Sequence, residues 1–151
     1  MGFRVRDAAP SDLERLVDYA LAEAADSEGA EKDRERVRRG VGMGLEHPDV
    51  ARYWVLEDDA GEVIGSTSVV REWSDWNAGD YWWVQSMYLE PWYRGRELMG
   101  LLLDEVRRAA GEAHALELRL YVHRDNTPAL HAYRRFGFLE SEYRIMHLPQ
   151  A

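Results

Sequence analysis

The chain has no cysteine. That absence removes disulfides, thiolate metal sites and cysteine nucleophiles together. Lysine is almost missing too: Lys32 is the only one, and arginine carries the remaining basic charge, which we read as compositional bias. Nowhere do apolar residues run for the roughly 18 positions that a membrane-spanning helix requires. The opening residues MGFRVRDAAP lack the apolar core of a signal peptide. These two absences set the expectation of a cytoplasmic protein without membrane contact. A basic surplus is also lacking. The formal net charge is −9, the wrong sign for general nucleic-acid binding and compatible with a cationic substrate. No HExxH, Gly-x-Ser-x-Gly or Walker loop occurs, and the histidines do not stand at metal-ligand spacing.

What is present is a globular composition, with 46% hydrophobic and 31% charged residues in 151 positions. That length suits one domain, 1–151, with a real core. Residues 3–6 alternate as a short strand. Pro10-Ser11-Asp12 reads as a helix start with Ser11 or Asp12 as cap, followed by Leu13, Leu16, Val17, Ala20 and Leu21 at helical spacing. Residues 31–45 read as a charged second helix. Strands are expected over 52–57, 62–73 and 81–89, joined by turns at 58–61 and 74–79. A helix over 96–113 and a strand over 116–122 follow. Thr127-Pro128 opens a helix to Arg135 that stops at Gly137. Residues 138–148 read as a last strand. The order β-α-α-β-β-β-α-β-α-β implies an α/β fold, a mixed and largely antiparallel sheet with helices on both faces.

The stretch YRGRELMG, Tyr93–Gly100, lies between a strand and a helix. Helix N-termini present unpaired N–H groups and a partial positive charge, and a glycine turn can add more donors. Arg94, Gly95 and Arg96 therefore stand where an anion would approach. On spacing alone they fit an ordinary strand–helix turn with solvated arginines as well.

The segments VQSMYLEPWYRGRELMGLLLDEV and LRLYVHRDNTPALHAYRRFGF, in this element order, resemble the GNAT superfamily of acyl-CoA-dependent N-acetyltransferases. The family's acyl-CoA loop, Arg/Gln-x-x-Gly-x-Gly/Ala, falls on Arg94, Gly95, Arg96, Glu97, Leu98 and Met99, with Gly100 following. Its second motif falls on Asn126, Ala129, Tyr133 and Phe136-Gly137-Phe138. Two departures stand out: Glu97 and Met99 replace small residues of the loop. The glutamate sets a negative charge against a negative ligand and a side chain where glycine allows unusual backbone angles.

The resemblance implies acetyl-CoA as co-substrate and a small-molecule primary amine as acceptor, joined by direct attack in a ternary complex. Backbone N–H groups of Met87, Tyr88 and Leu89 would stabilise the carbonyl oxygen and meet the pantetheine arm. Asn126 would contact the pantetheine amides, and Tyr133 would protonate the departing sulfur, as a phenol is able to do. For the base and the acceptor side the residues leave alternatives. Glu72 and Asp75 lie in a tryptophan-rich hairpin, Glu28 ends the first helix, and Gln85 can orient water but not act as a base. Trp73, Trp76 and Trp83 are expected to line the acceptor side through cation–π contacts, or to form a cross-strand aromatic cluster. Two other readings stay open: a GNAT-fold binding protein with an impaired loop, and an acetyltransferase for protein N-termini or lysines. Relatives often pair at the edge of the last strand, which makes a homodimer the expected assembly to test.

Overall fold

The computed structural model describes residues 2–150. These divide into two compact units, the first running to Tyr121 and the second beginning at Val122. Each is described by itself.

The first unit is a five-stranded sheet in the order β1-β2-β3-β4-β5. Its strands are β1 (Arg4–Asp7), β2 (Ala51–Glu57), β3 (Val63–Ser74), β4 (Gly79–Leu89) and β5 (Leu118–Leu120). The first four pair antiparallel, and β5 joins β4 in parallel. The reversal follows from the connections, since hairpin turns return a strand antiparallel while α3 (Leu98–Glu112) carries the chain across to a parallel one. Helices α1 (Leu13–Glu28) and α2 (Arg34–Glu46) precede β2. They cover one face of the sheet, where Leu16, Val17, Tyr19 and Val41 bury against Val55 and Val63. Alternation along β2 sends Trp54 and Leu56 to the opposite face. Both are fully buried, as are Leu102, Leu103 and Val106 of α3.

The start of α1 differs in detail from the expected cap. Pro10–Asp12 forms a single 3-10 turn, and the Asp12 carboxylate accepts the Ala9 N–H at 2.7 Å instead of capping α1. It also holds Arg6 at 2.8 Å, and Arg6 in turn donates to Glu57 at 2.7 Å. This charge-assisted chain fixes where α1 leaves the sheet. Helix α2 starts later than its sequence pattern suggests, at the Asp33 cap, whose carboxylate accepts the Arg36 N–H at 2.9 Å. Strand β5 keeps only three of the seven residues expected of it.

The second unit holds α4 (Thr127–Phe136), capped by the Asn126 side chain accepting the Ala129 N–H at 3.3 Å. It ends at Gly137, whose φ of 121° suits glycine. The last strand expected over 138–148 is not formed: these residues join no ladder among the described strands. Alternating apolar residues such as Tyr143 and Ile145 satisfy the pattern, but a strand exists only through its partner's hydrogen bonds.

Candidate active site

Strand β4 carries one residue too many. Ser86 faces Ser68 and Val84 faces Val69, so Gln85 bulges out without a partner. Bulges bend a strand and end regular pairing. On the other side, the ladder with β5 covers only Trp82–Val84. Beyond Val84, β4 therefore runs on with no strand along that side among the described residues. In this stretch the Met87 N–H donates to the Glu23 carboxylate of α1 at 3.0 Å. A backbone donor that a longer β5 would have bonded is thus met by a side chain.

Helix α1 brings Glu23 there through a polar stripe at helical spacing: Arg15, Tyr19, Glu23 and Asp26. Each engages the end of β3 and β4 or the loop after it. Arg15 donates to the Val63 carbonyl, the Tyr19 hydroxyl bonds Glu90, and Asp26 holds Arg94 at 3.0 Å. Beneath the stripe lies a cleft of about 410 Å³, lined by residues that include Tyr19, Glu23, Tyr53, Ser66, Ser68, Gln85 and Tyr88. Burial pushes the Glu23 carboxyl up to about 7; the Met87 N–H pulls the other way, and the charge of Glu28 adds to the rise. This carboxyl therefore exchanges its proton near neutrality.

The loop after β4 is a 3-10 turn over Pro91–Tyr93 followed by two left-handed residues, Gly95 at φ 76° and Glu97 at φ 61°. Glu97 occupies the N-cap of α3, exposed, while Leu98 behind it is buried. The backbone has kept the conformation a glycine would take, with a glutamate in it. Arg94 is committed to the fold: its Nε donates to the Leu89 carbonyl at 2.9 Å, and its guanidinium lies 5.1 Å over the Tyr88 ring. Arg96 stacks over Tyr93 at 5.4 Å and Trp92 at 6.0 Å. In the first turn of α3 the Gly100 N–H donates to the Glu97 carbonyl at 3.2 Å, while the amides before it precede the first intrahelical acceptor, and a Cβ at Gly95 or Gly100 would meet open space.

Residues 13–138 match the family model described as the acetyltransferase (GNAT) family. The chain belongs to the GNAT family. It is 35% identical over 114 residues to a mycothiol acetyltransferase of Corynebacterium aurimucosum, covering 73% of this chain and 37% of that protein. This chain thus spans little more than a third of that relative. Among solved structures, a possible acetyltransferase from Clostridium difficile 630 superposes with a TM-score of 0.92 at 24% identity, covering 100% of this chain and 99% of that one. A predicted acetyltransferase with acetyl-CoA from Clostridium acetobutylicum gives 0.80 at 20% identity, with 97% and 96% covered. An aminoglycoside N-acetyltransferase in complex with CoA gives 0.82 at 15% identity, with 99% and 95% covered. These three show the fold.

GNAT acetyltransferases use acetyl-CoA, and the residues present fit that ligand. The side of β4 away from β3 and the first amides of α3 supply donors along one path, and open space at Gly95 and Gly100 leaves room for close approach. Of the expected acyl-CoA residues, Met87, Tyr88 and Leu89 stand on the part of β4 that pairs with β3 alone. Arg94, Gly95, Arg96, Glu97, Leu98, Met99 and Gly100 form the loop and first turn of α3. In the second unit, Asn126 caps α4, and the Tyr133 ring packs edge-on to Phe138 at 5.5 Å.

The expected acceptor residues are scattered. Gln85 lines the cleft. Glu28 ends α1 and reaches Glu23 only as a charge. Glu72 accepts from the Trp83 indole at 2.7 Å, and Trp83 stacks on Tyr121 at 4.5 Å. Glu72 stands four residues along β3 from Ser68, about 13 Å at the usual rise. Asp75 lies exposed in the β3–β4 turn beside Trp73 and Trp76, which are 65% and 88% exposed. Neither hairpin carboxylate lines the cleft. The carboxylate that does, Glu23, was not singled out from the sequence. Its signal was there: it follows Leu16 by seven residues and Ala20 by three, a charge on the apolar stripe of α1.

Proposed function

We propose that the chain transfers an acetyl group from acetyl-CoA to a primary amine of a small molecule, by direct attack in a ternary complex. The observation that carries this reading is the stretch of β4 that lacks a second neighbour, where the Met87 N–H meets the carboxyl of Glu23, a residue that lines the cleft. Acetyl-CoA supplies an activated carbonyl carbon and a thiolate leaving group. The Met87 N–H sits where a carbonyl oxygen gaining charge would be stabilised. Cysteine is absent from the sequence, so no thiol is available to carry the acyl group. Tyr133 is proposed as the acid toward sulfur and Asn126 as a pantetheine contact, on the family motif they match.

A small acceptor is supported by the cleft's volume, about 410 Å³, which lies in the range of small-molecule sites. Its tyrosine and serine hydroxyls suit a polar, hydroxyl-bearing amine. Two relatives are named for mycothiol and for aminoglycosides, which agrees with that class. The test is thiol release from acetyl-CoA across a panel of amines that includes amino sugars and peptides. Turnover with small amines and none with peptides is expected. A protein that binds acetyl-CoA yet releases no thiol with any amine would instead be a binding protein. The left-handed glutamate of the loop is what favours that second reading.

A further inference from the structure

We propose that Glu23 takes the proton of the acceptor amine, and that it rests on the Met87 N–H only until the thioester carbonyl claims that donor. The inference rests on the acetyltransferase reading above. Its first support is geometric. The Glu23 Oε2 lies 3.0 Å from the Met87 nitrogen, in the stretch where β4 has lost β5. An amide in that position has two acceptors to choose from, the carboxylate or a ligand carbonyl, and one N–H does not serve both well. The second support is mechanical. Tyr19 and Asp26, one turn to either side, are bonded to Glu90 and Arg94. The helix is held on both sides of Glu23, so release of the Met87 N–H asks for a rotamer change of one side chain and no movement of α1.

The third support is what surrounds it. From α1 the ionisable groups are Tyr19 and Glu28; Lys32 comes from the segment before α2, Tyr53 from β2 and Tyr88 from β4, while α2 contributes Val37 and Val41 and β3 contributes Ser66 and Ser68. Glu23 is the only carboxylate among the cleft-lining residues, and its hydrogen-bond donor is a neutral amide rather than a cation. An arriving ammonium is the natural charge partner for it. With its carboxyl raised to about 7, it is matched to proton transfer near neutral pH.

The step balances as follows. The acceptor enters as an ammonium and gives one proton to the Glu23 carboxylate. The freed nitrogen lone pair forms the N–C bond at the thioester carbon. The C–S bond breaks with its electron pair going to sulfur, which takes up the second nitrogen proton, relayed by the group that acts as acid there. The amide keeps the third hydrogen, and Glu23 returns its proton to solvent.

The first test does not depend on turnover. The intact protein is titrated calorimetrically at pH 7.5 with acetyl-CoA, and separately with CoA, in two buffers of different ionisation enthalpy. Taking the N–H away removes a bond that favours the carboxylate, so the carboxyl binds protons more tightly. Acetyl-CoA should bind with fractional proton uptake, CoA with less, and E23Q should show the same small uptake for both. Equal uptake for the two ligands in the parent, or a difference that survives in E23Q, overturns the proposal while leaving the acetyltransferase reading intact. No binding of acetyl-CoA at all overturns both.

The second test is kinetic. E23Q should lower kcat about a hundredfold or more, keep CoA affinity within about twofold, and lose the rising limb of the pH profile; E23D should recover part of both. A kcat within threefold of the parent would sink the proposal. CoA affinity serves as the check that E23Q is folded, and E23D carries the test if it is not.

Discussion

At the scale of single residues, Glu97 is the clearest anomaly. A non-glycine residue in the left-handed region costs about 1 kcal/mol through its Cβ, and Glu97 holds φ 61°. E97G should therefore raise stability by about 1 kcal/mol, read as an increased urea midpoint at unchanged slope. It should also tighten acetyl-CoA binding several-fold, because the negative charge leaves the mouth of an anion site. E97Q separates the two causes: it removes the charge but keeps the Cβ, so affinity should improve while stability stays put. Glu23 gives a second residue-scale expectation. Its folded-state carboxyl is raised from 4.5 to about 7, so the protonated form is the one the fold favours. The stability this confers is complete below pH 4.5 and is lost as pH rises through 7, a change of about 3 kcal/mol. Asp12 and Glu57 act in the opposite sense. Burial pushes the Asp12 carboxyl up, but the Arg6 hydrogen bond and the Ala9 N–H together hold it below its usual range, and Arg6 and Arg4 hold Glu57 below its own; what these two contribute is lost only in stronger acid. Between pH 5 and 8, the parent should lose stability relative to E23Q by that amount; parallel curves would refute the burial argument.

At the scale of elements, the site depends on how α1 grips the end of β4 and the loop beyond it. Arg94 is the hinge of that grip, bonded at once to Leu89 and Asp26. Its fork reaches both acceptors at once, which the single ammonium of a lysine does not. R94K should then weaken acetyl-CoA binding about as much as R94A does, and D26N should weaken it in the same direction though Asp26 itself carries the wrong charge for a phosphate. If R94K binds like the parent, Arg94 serves as a plain cation. These contacts also show what the sequence made legible. The first helix was readable because Leu13, Leu16, Val17, Ala20 and Leu21 recur at helical spacing, and the hairpins because turn residues such as Asp58–Gly61 separate their strands. The left-handed loop was readable because Gly95 and the family motif mark it. The polar stripe of α1 was legible only in part: Glu23 stands out as a charge on the apolar stripe, but Arg15 and Asp26 look like a solvated helix face until β4 is placed opposite them. The bulge at Gln85 was equally hidden: it is defined by two paired strands, and a single strand's alternation carries no register. Residues 138–148 fail for the same reason, having strand periodicity without a ladder.

At the scale of the whole molecule, the features unusual for the fold's own stability converge on one ligand. A strand runs on past its neighbour, a carboxyl is buried, and a loop is strained. Each costs free energy in the unliganded chain, and each lies along the path that acetyl-CoA would take. Such sites are expected where local rules are broken for function. Binding that meets these groups must then stabilise the fold by mass action, about 2.7 kcal/mol at a concentration of 100 times Kd. For a chain of this length that raises Tm by about 5–10 °C. Acetyl-CoA and CoA should both produce the shift, because most of the contacts lie along the diphosphate and pantetheine. Free acetate and free adenosine should produce none at equal concentration. Repeating the scan at pH 6 and pH 8.5 adds a directional check. If the carbonyl displaces Glu23 from Met87, the shift with acetyl-CoA should exceed that with CoA by more at pH 6, where the displaced carboxyl is protonated, than at pH 8.5. A shift that is identical for both ligands at both pH values would mean that the thioester does not reach the Met87 N–H.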